Sequence, residues 1–382
     1  MDLSLSERML RDKIIQVLKD QGFRVNPHIR LQEYNKTAFR LIQQKSRSEQ
    51  LLMHKNFLMK YISKVRNYCR NGCEINPEKI SLELIEIRKK SFEETLFKWW
   101  NLAWWSIPYQ RPYGRQMRFL LWDTAHDSPF GLISLQSPIL KISVRDKFLD
   151  IPRENLDLWV NMSMQAQRVG SLPPYNELLG GKLVAITLTC NEIREAYKKK
   201  YKHSVTLLRN RKLEPDLLFI TTTSAFGKSS LYNRLKYNGE NVALSLGYTK
   251  GSGTFHIPEQ LYLEILRYLS KKGYDVSRGF GHGPSRKLKL ISLGLRCLKL
   301  PKFDFHGIKR EFFIFPLVKN LKEVIHESEN PIWVDRPFCK LVNYWKERWA
   351  IPRMERIQKW KYFNCSEFFD NIERQLKGME DV

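Results

Sequence analysis

The run Leu217-Leu218-Phe219-Ile220-Thr221-Thr222-Thr223, followed by Phe226-Gly227-Lys228-Ser229-Ser230-Leu231-Tyr232-Asn233-Arg234 and then by Val242-Ala243-Leu244-Ser245-Leu246-Gly247-Tyr248, decides the fold class. The first piece is apolar and threonine-rich and reads as a strand. The second opens on Gly227 and two serines able to cap a helix, so a short helix is expected over 228–238. The third reads as a strand again. A further strand is expected over Thr254-Phe255-His256-Ile257, before Pro258 opens a helix that reaches Lys272. Upstream, Gln116–Trp122 and Phe130–Ser137 read as antiparallel strands joined by a polar turn with Asp123, His126, Asp127 and Pro129. Leu140–Val144 and Trp159–Val169 are also β-like, and a long helix is expected from Asn176 to Lys200. Antiparallel strands that give way to alternating helix and strand make a mixed α+β sheet.

The flanks differ from this centre. Residues 1–107 read as a helical arm. Ser4-x-x-Glu7 is a capping box ahead of Met9, Leu10, Ile14, Val17 and Leu18, and Gly22 is a stop. A second helix is expected from Thr37 to Cys69. A third opens at Asn76-Pro77 and runs to the Trp99-Trp100 and Trp104-Trp105 cluster, which reads as packing on the next domain. Pro108 to Tyr113 is a linker, residues 108–300 hold the sheet domain, and residues 301–382 form a tail module. That tail is rich in aromatics: Trp333, Trp345, Trp349, Trp360, Phe363, Phe368 and Phe369.

The chain has 382 residues, 42% of them hydrophobic, with 21 Phe, 16 Tyr and 10 Trp, enough for a sizeable core. Its formal net charge of +25 favours polyanionic partners. The excess is uneven: residues 201–300 carry 17 Lys/Arg against 6 Asp/Glu, and residues 1–100 carry 20 against 12. No basic segment followed by an apolar run opens the chain, and no window approaches about 18 uncharged apolar residues. A cytoplasmic protein with six reduced cysteines and no membrane contact is therefore expected. Cys69-x3-Cys73 lacks a second ligand pair at zinc spacing, so no metal is assigned. No cofactor is assigned either.

Gly227-Lys228-Ser229 invites comparison with a phosphate-binding loop, but that loop needs a glycine where Thr222 stands. The free amides of a helix starting at Ser229 or Ser230 can still hold an anion. The strand–helix–strand order around Tyr232 and Gly239 resembles the second half of the GNAT acetyltransferase fold. That resemblance implies a GNAT-like mixed sheet with flanking helices, and a Tyr232 that donates a proton to a leaving group. It also implies a pyrophosphate turn, which Gln167-Arg168-Val169-Gly170-Ser171-Leu172 meets only in part. Asn161 and Glu177 are candidate bases, and coenzyme A is the cofactor of this alternative. Packing of Tyr232 under the sheet is the competing reading.

The segment Ser277-Arg278-Gly279-Phe280-Gly281-His282-Gly283-Pro284-Ser285-Arg286-Lys287-Leu288-Lys289 is the strongest candidate for nucleic acid, DNA foremost. No acidic residue lies between Asp275 and Asp304. Glycines permit close backbone approach, Phe280 can stack on a base, and Arg278, Arg286, Lys287 and Lys289 release counterions from phosphates. Lys228, Arg234 and Lys250 extend the basic surface along the 227–253 edge. A solvated basic loop is the plain alternative.

Several of these strings together resemble the DruA family of the Druantia anti-phage system. They are Gly114-Arg115-Gln116-Met117-Arg118-Phe119-Leu120-Leu121, Gly131-Leu132-Ile133-Ser134, Arg145-Asp146, Asn161-Met162-Ser163, Phe226 to Arg234 and Gly247 to Pro258. The likeness spans about residues 110–320 and continues into the tail through Tyr344-Trp345-Lys346-Glu347-Arg348-Trp349. It implies one component of a multi-gene bacterial defence that also contains a large helicase-like protein and other small subunits. It carries no catalytic residues with it, so a non-catalytic adaptor stays open beside the nucleic-acid and acyltransferase readings.

Overall fold

The computed structural model describes residues 3–382 apart from 110–111, 207–209, 213, 252–256, 278–285, 302–306 and 379–382. The N-terminal helix α1 (Leu5–Asp20) starts at the expected capping box, with the Ser4 side chain on the Glu7 amide and the Glu7 carboxylate on the Ser4 amide. A short hairpin follows, β1 (Phe23–Arg24) and β2 (Arg30–Leu31). The expected second helix is two, α2 (Lys36–Met53) and α3 (Lys55–Arg66), broken at His54. The helix expected from Asn76 does not form. Leu82-Glu83-Leu84-Ile85-Glu86 becomes strand β3 (Leu82–Glu86), and helix starts only at α4 (Phe92–Ala103), capped by Ser91. The run pairs with β4 and half-buries Leu82 and Leu84 on one face of the sheet and Ile85 on the other, as the alternation of a strand allows.

Next come β4 (Gln116–Asp123) and β5 (Ser128–Gln136), then α5 (Ser143–Phe148) and α6 (Leu156–Asn161), which take the end of the strand expected at 140–144 and the start of the one expected at 159–169. The strand β6 (Ser163–Ser171) begins only after α6. The helix expected from Asn176 is split into α7 (Gly180–Ile186), a 3-10 turn and α8 (Asn191–Tyr201). In the split, Thr187 and Thr189 hydroxyls bond back to the Leu183 and Ile186 carbonyls at 2.8 and 2.9 Å, competing with the helix ladder. After β7 (Phe219–Thr223) the helix expected over 228–238 shrinks to one 3-10 turn, Tyr232–Arg234. The hairpin β8 (Lys236–Tyr237) and β9 (Glu240–Asn241) takes its place, because Asn238 and Gly239 both adopt positive φ, as a tight hairpin turn demands.

The chain continues through β10 (Leu244–Tyr248), α9 (Glu259–Lys271), α10 (Arg286–Cys297), β11 (Glu311–Pro316), α11 (Leu321–His326), α12 (Phe338–Trp345), α13 (Ile351–Arg356) and α14 (Cys365–Gly378). The strand expected at 254–257 falls almost entirely outside the described residues.

Seven strands form one mixed sheet in the order β10-β11-β7-β6-β5-β4-β3. All neighbours are antiparallel except β6 and β7, which run parallel over Ser163–Gln165 and Phe219–Thr221. The arm expected to be helical thus supplies one sheet edge through β3. The expected tail begins with a strand, β11, that lies inside the sheet between β10 and β7.

One face of the sheet carries α7, α8 and α12 over Phe119, Ile133, Met164, Ile220 and Phe313. Trp345 is fully buried there, edge-on to Phe130. The other face has two apolar patches. One lies under α3, α4 and α14, where Phe369 and Phe368 stack on Trp99 and Trp100; the other lies under α5, α6 and α11. The tryptophan cluster is therefore interior packing. A fourth core stands apart from the sheet and joins α1, β1, β2, α9 and α10. Among the described residues no helix is long and apolar enough to cross a membrane.

Candidate nucleic-acid interface

The edge that follows β7 is organised around a carboxylate that the sequence reading did not single out. Glu311, the first residue of β11, is 4% exposed. Its Oε2 accepts from the Ser229 amide at 2.9 Å and from Asn233 Nδ2 at 2.8 Å, and its Oε1 accepts from Ser245 Oγ at 2.8 Å. Its own amide donates to Ser224 Oγ and to the Gly227 carbonyl. Gly227 sits at φ +59, where a side chain would be strained. The Gly-Lys-Ser-Ser string does bind an anion through a backbone amide, and that anion belongs to the chain itself. Lys228, Arg234 and Lys250 lie around this locked loop with exposed side chains.

Tyr232 sits beneath the sheet. Its ring meets Phe313 and Phe315 edge-on, and burial pushes its phenol up to about 12, opposed by a hydrogen bond with Thr222. The other residues considered for proton transfer are engaged elsewhere. The Asn161 carbonyl accepts from the Arg115 guanidinium and from Tyr197 Oη, and its amide donates to Asp157 O at 2.6 Å. Glu177 pairs with Lys359 at 3.4 Å. Arg115, inside a recognisable string but given no role from sequence, lines a cleft of about 1380 Å³ with Glu86, Gln116, Tyr197 and Tyr201. The cleft opens where β4 and β6 begin, at the end of the sheet opposite the Glu311 loop. Gly170, in the partial pyrophosphate string, packs against Trp105, and Leu172 is fully buried.

The described end of the basic segment, from Arg286, leads into the fourth core. Residues 278–285, including Arg278 and Phe280, lie outside the described residues. From Arg286 the chain is α10, which packs closely on α9: a Cβ on Gly294 would come within 2.6 Å of Ile265 Cγ2. Leu290, Ile291 and Leu295 point into the core. Arg286, Lys289 and Arg296 are exposed, and their spacing of three and seven residues puts them on one helix face. Lys287 behaves differently: its ammonium turns back to Glu259 at 2.8 Å and lies over the Tyr262 ring. The α1–α9 contact is electrostatic as well as apolar. Lys272, with the Ser4 amide, holds the Glu7 carboxyl at about 2, and the Lys272 ammonium is raised in turn.

Three comparisons with known proteins bear on what carries this arrangement. The family model described as Druantia protein DruA matches residues 33–327. The Druantia protein DruA of Escherichia coli (strain UMEA 4076-1) is 31% identical over 378 residues, covering 97% of this chain and 93% of that protein. No solved structure matches the chain. With the family model spanning most of the sequence and a relative matched almost end to end, the chain belongs to the DruA family, a component of the Druantia anti-phage system.

Proposed function

We propose that this chain acts in Druantia defence as a nucleic-acid-binding component, with DNA as the target, the cytoplasm as its place of action and a large helicase-like subunit among its partners. The observation that carries the reading is the solvent face of α10: Arg286, Lys289 and Arg296 stand in a segment without acidic residues, on a helix anchored by its own core. Lys228, Arg234 and Lys250, displayed on a loop locked by Glu311, extend the basic surface, and Arg278 belongs with it by sequence. Fluorescence anisotropy with labelled DNA over a salt series tests this. Arg286→Ala with Lys289→Ala is expected to weaken binding and to flatten the salt dependence by about one unit per lost phosphate contact. Lys287→Ala is expected to do less, because that ammonium is committed to Glu259. Unchanged binding in the double variant would remove α10 from the account, and full phage protection after neutralising the whole surface would leave an adaptor.

A second reading, a coenzyme A-dependent acyltransferase on a GNAT-like core, is favoured by one observation. Among the described residues the one parallel pair, β6–β7, lies mid-sheet with antiparallel strands on both sides. At that seam Gln165 Oε1 and Thr221 Oγ1 are buried without a hydrogen-bond partner. Against it stand the enclosure of Tyr232 and the buried Leu172 where the resemblance calls for a small residue. Calorimetry with acetyl-coenzyme A is expected to give no heat at millimolar ligand, and Tyr232→Phe is expected to leave phage protection intact. Saturable heat together with lost protection in Tyr232→Phe would reverse the order of the two readings.

A further inference from the structure

Nothing in the basic segment itself says whether one strand or two is bound. The fourth core adds a second cationic element: the β1–β2 hairpin, which packs on α1, belongs to the same apolar cluster as α9 and α10. In the β1–β2 hairpin, Phe23, Val25, Ile29 and Leu31 point into the core shared with α1, α9 and α10. The intervening Arg24, Asn26, His28 and Arg30 are exposed. The register sets Arg24 directly opposite Arg30. Like charges directly opposite on a ribbon destabilise it, and among the described residues neither guanidinium has an acidic partner. Such a pair is unfavourable for the free protein and becomes favourable once a phosphate lies between the two side chains.

We infer that the unit is a two-element reader of duplex DNA, with the Arg286–Lys289–Arg296 face of α10 in the major groove and the Arg24/Arg30 ribbon on the adjoining phosphate backbone. The inference rests on the nucleic-acid reading and adds to it the substrate form and a second contact from the N-terminal hairpin. A straight helix of 12 residues is about 18 Å long and enters a B-form major groove about 12 Å wide. The deep, narrow major groove of duplex RNA does not admit it. Single-strand binders use aromatic platforms in a basic groove, whereas α10 contains no aromatic residue and its exposed cations share one helix face.

The test uses the full chain and three labelled probes of one sequence: duplex DNA, single-stranded DNA and duplex RNA, each over a salt series by anisotropy. Wild type is expected to bind duplex DNA at least about tenfold more tightly than the other two. Arg24→Gln with Arg30→Gln is expected to weaken duplex binding about 5–20-fold near ~0.15 M salt and to lower the salt slope by about two. The same double variant is expected to melt no lower than wild type, since it removes a like-charge pair. This combination, weaker binding at equal or higher Tm, separates a contact from a structural role. Preference for single strands or RNA, or duplex binding untouched by the hairpin variant while the α10 variant loses it, overturns the inference and leaves the nucleic-acid reading standing. No binding to any probe overturns both.

Discussion

Glu311→Ala is expected to destabilise the protein by about 2–3 kcal/mol, read as a fall in the urea midpoint with little change in slope. The carboxylate accepts three hydrogen bonds within 2.9 Å from groups on two different segments. Bonds to a charged acceptor contribute roughly 1.5–3 kcal/mol each, and a buried donor left alone costs about 1–3 kcal/mol. Alanine deletes the acceptor: the half-buried Ser229 amide loses its partner, while Asn233 keeps its bond to the Ser229 carbonyl and, like Ser245, is exposed so that water replaces part of what the carboxylate supplied. Glu311→Gln keeps the volume and one acceptor but turns an NH₂ group toward a donor, so it should fall between wild type and alanine. The ranking Glu, Gln, Ala is the signature of acceptor chemistry as opposed to packing. Because the same loop displays Lys228 and Arg234, the alanine variant should also weaken any nucleic-acid binding that uses this edge. A midpoint equal to wild type would mean that the Gly227 turn and the Ser224 contacts hold the loop without the carboxylate.

The features legible in the sequence are those set by neighbours along the chain. The Ser4/Glu7 box places the start of α1 because both partners lie within one turn. The threonine-rich run at Phe219–Thr223 reads as a strand because β-branching favours it in any buried sheet. Arg286 and Lys289 stand out because the absence of acid around them is a property of consecutive residues. The features not legible depend on partners far away in sequence. Leu82–Glu86 is too short to declare itself, and its strand character comes from pairing with β4. Glu311 lies 82 residues from Ser229, so the Gly-Lys-Ser-Ser string reads as open to an outside anion although it is filled from within. The commitment of Lys287 to Glu259 depends on α9 and α10 packing together. The hairpin has a local signal, the alternation through Phe23-Arg24-Val25 and Ile29-Arg30-Leu31. Its meaning appears only when the N-terminal segment shares one core with residues 257–308.

Gly72→Ala should have a comparable effect through sterics. A Cβ at that position falls 1.8 Å from the Trp360 carbonyl oxygen and 2.8 Å from Lys361 Cα. Both are backbone atoms, so no side-chain rotation relieves the clash, and the 360–363 segment must move bodily. Its attachments are then lost together: the Gly72 amide on the Phe363 carbonyl at 2.8 Å, and the Cys365 amide on Asn71 Oδ1 at 2.9 Å. Behind them α14 keeps Phe369 on Trp99 and Phe368 on Trp100, with ring centroids 4.9 and 5.4 Å apart. A loss of about 3 kcal/mol or more is expected, at the upper end for overpacking, because main chain must yield. Detachment of α14 would expose two tryptophans, so acrylamide quenching should rise and limited proteolysis should cut between residues 357 and 364. The core that carries α10 and the hairpin shares no buried residue with this patch. DNA binding should therefore survive in the fraction that stays folded. Wild-type quenching and proteolysis would show instead that the C-terminal segment can shift without losing its seat; loss of DNA binding in parallel with α14 would show that the two cores fold as one unit.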